Sequence, residues 1–289
     1  MTLREHLTSL ISITVITLNL TFWLIPLVLL SGLKLAWPGS RVRVDPLLDE
    51  VYRSAVRVHD AWLRRVVGLE WPRPALEVSK ETVCLVLSNH VSWSDILVLQ
   101  SVVSRDGPLL KFLSKRELLW IPIFGVIFWA FDFPLLRRRA KGRLGEETRR
   151  RIDAEALISA CEGLRRHPAA LMSFVEGTRL TEEKRRASKS LYRTLLPPRV
   201  GGLAALRAAL DGDLRCVLDV TLIYEEGASL WSFLSGRPPR VGVDVETIPI
   251  EAVPLDREPL IAWLDARWAR KDRLILAARG GSNDVTQPD

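Results

Sequence analysis

The sequence predicts an α/β protein carrying an N-terminal membrane-associated segment. Two patterns point there. Short apolar runs of strand character alternate with amphipathic stretches between Val83 and Ala278, the order expected of an α/β core, here about 180 residues long. Ahead of that core, no charged residue occurs in the 28 positions between Glu5 and Lys34, and Leu10 to Leu30 is dominated by Leu, Ile and Val. The chain divides accordingly: 1–36 a membrane-embedded helix, 37–72 an amphipathic helix and linker, 73–280 an α/β domain, and 281–289 a polar tail.

The first segment is too long for the apolar core of a signal peptide, and no A-x-A cleavage site follows it. About 20 apolar residues suffice to span a bilayer, so length favours a full span. Thr14, Thr17, Asn19, Thr21 and Pro26 interrupt the run. They keep an in-plane or half-inserted arrangement open, and Pro26 should kink the helix. Lys34, Arg41 and Arg43 on the downstream flank would place the bulk of the protein in the cytoplasm.

After the Trp37-Pro38-Gly39-Ser40 breaker, Asp45 to about Leu69 reads as an amphipathic helix that could pair with the first segment as a hairpin at the membrane surface. Val83 to Ser88 reads as a buried strand. A helix follows from Ser92 to Val103, then a strand over Pro108 to Leu113. Trp120 to Phe133 is apolar and aromatic. Glu147 to Arg165 reads as a helix, Leu171 to Val175 as a strand, and Arg179 to Tyr192 as a charged loop. Val217 to Tyr224 and Val241 to Ile248 are further strands, and Pro259 to Ala278 a last helix.

Composition narrows the chemistry. The chain has 289 residues, 48% hydrophobic and 26% charged, which excludes a disordered or collagen-like protein. Its three cysteines are far apart and odd in number, which argues against a disulfide framework or a zinc ribbon. A reducing compartment is the simplest setting. Four scattered histidines form no H-E-x-x-H or H-x-x-x-H, so no metal site is expected. Of the net charge of +7, +6 falls in Arg137 to Arg151, with eight basic and two acidic residues. That localisation favours one local anionic partner over a nucleic-acid footprint. Ten tryptophans fit a protein with one apolar and one wet surface.

Two clusters could carry chemistry. Ser88-Asn89-His90-Val91-Ser92-Trp93-Ser94-Asp95 follows a buried strand and opens a helix. Ser92 and Asp95 have capping-box-like spacing. With His90 on the turn before the helix, the Asp95 carboxylate could hold one ring nitrogen, fix the tautomer and make the other a base. The bland alternative is a surface histidine beside an ordinary N-terminal aspartate. Phe174-Val175-Glu176-Gly177-Thr178-Arg179 also follows a short apolar strand. Gly177 permits a tight turn, Arg179 could bind phosphate in a bidentate manner, and Glu176 could orient a polar headgroup. An ordinary salt-bridged loop is the bland alternative here.

Taken together and in order, these residues resemble the glycerophospholipid acyltransferase family. Asn89, His90 and Asp95 match its N-H-x-x-x-x-D block, and Phe174, Glu176, Gly177, Thr178 and Arg179 match F-x-E-G-T-R. Between them, Lys115, Leu118, Ile121-Pro122, Gly125 and Arg138 match a second block. Leu196-Pro197-Pro198-Arg199-Val200-Gly201 matches L-P-x-K-x-G with Arg for Lys. Arg137, where the family often has Asp, and the Asp219-Val220-Thr221-Leu222 strand depart from the pattern and suggest a less typical bacterial branch.

The resemblance implies a twisted mixed sheet flanked by helices. It implies transfer of a fatty acyl group from acyl-CoA or acyl carrier protein, as co-substrate, to the sn-2 hydroxyl of 1-acyl-glycerol-3-phosphate or another lysophospholipid. His90 would be the base and Asp95 its partner, with no acyl-enzyme, metal or cofactor. Arg179 would bind the acceptor phosphate, with Glu176, Gly177 and Thr178 beside it and Lys115 and Arg138 as further contacts. The bilayer is the expected partner, and a bacterial inner membrane with a cytoplasmic catalytic domain the expected location. No G-x-S-x-G is present, which counts against a serine lipid hydrolase. A non-catalytic basic membrane binder is the rival from another class, and it would tolerate loss of His90.

Overall fold

A computed structural model describes residues 1–112, 114–120, 122–131, 133, 135–136, 158, 161–165, 167–225, 228–237 and 240–283. Its centre is a five-stranded sheet in the order β2-β5-β1-β6-β7. β1 is Cys84–Ser88, β2 Leu110–Phe112, β5 Ala170–Ser173, β6 Cys216–Ile223 and β7 Gly242–Pro249. The first four are parallel; β7 runs antiparallel to β6. The expected mixed α/β sheet is therefore observed. A separate two-residue pair, β3 (Ser114–Lys115) with β4 (Leu135–Leu136), is also parallel.

Both faces of the sheet are covered, so its strands are near-continuous apolar runs. Side chains alternate along each strand. Leu85, Leu87, Leu171 and Val217 pack on one face against α7 (Val200–Ala209) and α9 (Arg257–Asn283). Val86, Met172, Leu218 and Val220 pack on the other, against α3 (Ser94–Val103), Leu63 and Trp71. A third cluster joins α1 (Leu3–Ala36), α2 (Arg41–Arg65) and α4 (Pro122–Ala130) through Leu27, Leu48, Tyr52, Phe128 and Phe131.

Helix α1 is the one described helix long and apolar enough to cross a membrane. At 1.5 Å per residue it is about 50 Å long, and it is fastened to the protein along that length. Ser9 Oγ and Ser12 Oγ donate to the carbonyls of Trp231 and Leu234 on α8 (Leu230–Leu234). Asn19 Nδ2 donates to Ala55 O at 3.0 Å, and Lys34 pairs with Asp45 at 3.0 Å. The opposite stripe, including Leu7, Leu10, Leu18, Phe22, Ile25 and Leu29, is exposed.

The residues that interrupt the apolar run thus have a structural place. Ser9, Ser12 and Asn19 face the protein, while Thr14, Thr17 and Thr21 return their hydroxyls to the carbonyl four residues back. The helix continues through Pro26.

Other expectations shift at their edges. Helix α2 starts at Arg41 and ends at Arg65, before Gly68, whose φ of +82° breaks the helix. The stretch Arg179 to Tyr192, expected as a loop, contains α6 (Glu182–Ala187). Thr181 Oγ1 caps it by accepting from Lys184 N, and Glu182 accepts from Arg185 and Arg186; such local pairs hold a short polar helix together. Helices α7 and α8 have no counterpart in the reading of the sequence. Of the helix expected over Glu147 to Arg165 (α5), residues 158 and 161–165 are described and helical.

Candidate active site

The site begins with register. Leu87 of β1 lies opposite Ser173 of β5 and Asp219 of β6, so β1 and β5 end side by side. The chain leaves β1 into Asn89-His90 and leaves β5 into Phe174 to Arg179. Parallel pairing alone therefore brings together two segments more than 80 residues apart in sequence. They are also bonded directly: Leu180 N donates to His90 O at 2.7 Å.

Asn89 secures the exit from β1. Its Nδ2 donates to Leu222 O and its Oδ1 accepts from Leu222 N, each at 2.9 Å. The side chain thus pairs with β6 as a backbone residue would. His90 comes next, with its Nδ1 2.8 Å from Asp95 Oδ2. The same oxygen accepts from the backbone N–H groups of Val91 at 2.7 Å and Ser92 at 3.0 Å. Asp95 has no solvent exposure, while the His90 side chain keeps 14%.

Half of the Ser92–Asp95 capping-box pattern forms, Asp95 Oδ2 accepting from Ser92 N at 3.0 Å. Ser92 Oγ accepts from Ser94 N, and Asp95 reaches back to the turn before the helix. The carboxylate needs that reach, because residues five apart do not share a helix face.

Phe174 covers the other side of the imidazole, stacked at 3.8 Å between centroids and 15° between planes. Gly177 has φ +72°, a conformation open to glycine at no cost, and its N–H closes the turn onto Phe174 O at 2.8 Å. Glu176 points inward and is 1% exposed. Burial pushes its carboxyl up to about 8, against the opposing influence of the Trp268 indole and the His90 backbone. Neither carboxylate oxygen has a hydrogen bond of good geometry. Solvent does not reach this group, for which the sequence suggested a place beside a polar headgroup.

The outer rim is basic. Arg179 is exposed, with its guanidinium 5.3 Å from the centroid of the Trp93 ring. Lys184 Nζ donates to Thr178 Oγ1 at 2.7 Å and to Arg179 O at 3.2 Å. Arg199 N donates to Val175 O at 2.7 Å, and the Arg199 side chain lies against Gly177. The first, third and fourth sequence blocks therefore converge. Lys115 is in β3, paired with Leu136 in the separate two-stranded sheet. Arg138, Arg137 and the basic run to Arg151 lie outside the described residues.

Behind Glu176 lies a charged core absent from the reading of the sequence. Lys271 and Asp219 are both without exposure, with Lys271 Nζ 2.6 Å from Asp219 Oδ1 and donating to Val220 O at 2.6 Å. Arg267 Nε donates to Asp219 Oδ2 at 2.7 Å. Burial draws the Lys271 ammonium pKa down while Asp219 opposes it. Asp219 within an apolar strand was the visible signal, since a buried charge needs a partner. The partners sit on α9 about 50 residues later.

An alternating α/β scaffold with a histidine–carboxylate pair at the exit of one strand and a glycine turn at its neighbour defines the class: this chain belongs to the acyltransferase family, whose model, described as "Acyltransferase", matches residues 74–225. A second model, "Acyltransferase C-terminus", matches residues 232–277.

The chain is 28% identical over 255 residues to human 1-acyl-sn-glycerol-3-phosphate acyltransferase gamma, covering 79% of this chain and 65% of that protein. The delta protein of Bos taurus is 31% identical over 216 residues, 70% of this chain and 54% of its own length. The chain thus spans just under two thirds of the gamma protein and about half of the delta. The crystal structure of the 1-acyl-sn-glycerophosphate acyltransferase PlsC from Thermotoga maritima has the same fold, with TM-score 0.61 and 18% identity over 95% of this chain and 97% of that one.

Proposed function

We propose that this protein is a membrane-associated O-acyltransferase that moves a fatty acyl group from a thioester, on CoA or acyl carrier protein, to the sn-2 hydroxyl of 1-acyl-glycerol-3-phosphate. The observation that carries the proposal is the His90–Asp95 pair at 2.8 Å. With Nδ1–H donating to the carboxylate, Nε2 is left as the base. It takes the proton from the acceptor hydroxyl as the oxygen attacks the thioester carbonyl. The tetrahedral intermediate then expels the thiolate, and the imidazolium returns the proton to sulfur. Asp95 keeps the tautomer and stabilises the imidazolium. Arg179 at the rim would meet the acceptor phosphate, and its exposure supports that role.

The relatives' names supply the acceptor, and the exposed apolar stripe of α1 supplies the membrane contact. Tethering at Ser9, Ser12, Asn19 and Lys34 favours α1 lying in one leaflet with the α/β domain at its surface. That surface is taken as the cytoplasmic face of a bacterial inner membrane.

The test is transfer from labelled long-chain acyl-CoA by detergent-solubilised protein, with wild type beside His90→Ala. Diacyl product from lysophosphatidic acid, reduced about 10²- to 10⁴-fold in the variant, is expected. Product from another lysophospholipid alone would move the acceptor. Failure with every acceptor, with both CoA and acyl carrier protein as donor, would overturn the proposal.

A further inference from the structure

A second charged site lies at the far end of α3 from His90. A cavity of about 320 Å³ opens between α2, the end of α3 and the segment after Trp71. Six arginines line it: Arg53, Arg57, Arg64, Arg65, Arg73 and Arg105. Asp60 is the one carboxylate in the lining, and it is already engaged. Arg64 Nε is 3.2 Å from its Oδ1, Arg73 pairs with its Oδ2, and Ser101 Oγ donates to Oδ1 at 2.6 Å.

Two of the other arginines are partly neutralised by carboxylates outside the cavity. Arg57 pairs with Glu50, and Arg105 Nε is 3.4 Å from Asp106. Arg53 is held by the carbonyls of Ser104 and Arg105, and Asp49 and Glu50 feel its charge from outside the cavity. Arg65 has no carboxylate partner among the described residues. Arg73 Nε is buried and makes no hydrogen bond. Burial and the charge of Arg105 draw the Arg64 and Arg73 guanidinium pKa values down, outweighing the opposing pull of Glu70 on Arg64 and of Asp106 on Arg73. The crowd of cations is therefore under-compensated, and an anion would relieve it.

Guanidinium groups converging on a cavity of this size match a tetrahedral, multiply charged oxyanion, which each can grip through two N–H donors. We infer that the arginine-lined cavity between α2 and α3 binds a phosphate ester at a site separate from the catalytic pair. Asp95 is in the first turn of α3 and Ser101 is six residues on, about 9 Å along the helix axis. His90 does not line the cavity. A soluble phosphate ester and the headgroup of an anionic membrane lipid offer the same chemistry.

The test uses the full chain in detergent and inorganic pyrophosphate as probe, followed by calorimetry. Wild type, His90→Ala and an Arg65→Gln/Arg105→Gln double variant are compared. Arg65 and Arg105 are exposed and do not bond Asp60, so their loss leaves the Arg64–Asp60–Arg73 tie intact. Circular dichroism confirms that the double variant folds.

The expected result is equal binding by wild type and His90→Ala, and binding about tenfold weaker per arginine removed in the double variant. A second arm measures flotation with phosphatidylcholine vesicles, with and without phosphatidylglycerol. Pyrophosphate binding that the double variant loses supports the site with a soluble phosphate ester as ligand. Binding only to the phosphatidylglycerol vesicles, weakened in the double variant, supports it with a lipid headgroup as ligand. Binding in neither arm, equal binding by the double variant, or loss in His90→Ala overturns it.

Discussion

Asp95 and Glu176 follow the neighbouring strands β1 and β5, and both are buried. Their surroundings differ. One oxygen of Asp95 meets the imidazole and two backbone N–H groups within 3.0 Å. Glu176 has no hydrogen bond of good geometry and a carboxyl pKa raised to about 8 by burial. The two buried carboxyl groups therefore differ in the donors aimed at them. The Asp95 turn is built around an acceptor for three donors, and the Glu176 turn around a carboxyl group whose pKa burial raises.

Changes at the two turns should separate accordingly. The largest effect belongs to the Asp95 side. His90→Ala should lower the turnover of acyl transfer about 10²- to 10⁴-fold with Tm nearly unchanged, measured by single-turnover transfer beside a thermal melt. Asp95→Ala should lose activity by a similar factor and also stability. The buried Ser92 N–H, the half-buried Val91 N–H and the imidazole lose their acceptor, at up to about 1–3 kcal/mol each, which denaturant unfolding would register. Equal stability of Asp95→Ala and wild type would break the comparison.

On the Glu176 side the expected effect is a pH dependence. Its folded pKa, about 8, exceeds its ordinary value of 4.5, so the folded state holds a proton that the unfolded state releases. The stability that this proton carries is complete below about pH 4.5 and is lost as pH rises through about 8. Glu176→Gln should therefore match wild type in acid and melt progressively higher than it across that window. Each kcal/mol is worth about 2–4 °C at this chain length. Parallel melting curves for the two proteins at every pH would count against a protonated Glu176.

The smallest effect should come from the rim. Arg179→Ala removes an exposed contact with Trp93 worth about 0.5–1 kcal/mol. It should lower Tm by no more than about 1–4 °C while raising KM for the acceptor more than it lowers kcat, as initial rates over a range of acceptor concentrations would show.

Much of this arrangement was readable from residues. Val83 to Ser88 and Val217 to Tyr224 are apolar runs long enough to be strands and too short to be buried helices, and both are strands within one residue. His90 and Asp95 were readable because their chemistry is local, within a single turn. Phe174 against His90, Asn89 against Leu222, and Lys271 against Asp219 were not. Each is a contact between segments that only the sheet brings together, and a phenylalanine, an asparagine or a lysine has no spacing that announces its partner. Helix α6 was missed for the opposite reason. Its support is a cap and two ion pairs within six residues, which polar composition disguises as a loop.

The carboxamide of Asn89 acts as a splint. By reading both backbone atoms of Leu222, it indexes the histidine that follows to β6 as well as to β1. Aspartate there would set a second acceptor against the Leu222 carbonyl. A single inserted residue between Ser88 and Asn89 would leave both strands whole yet detach the histidine from its reference. The apolar side chains of these strands can be exchanged for others of similar volume; the step from Asn89 to His90 has no such latitude.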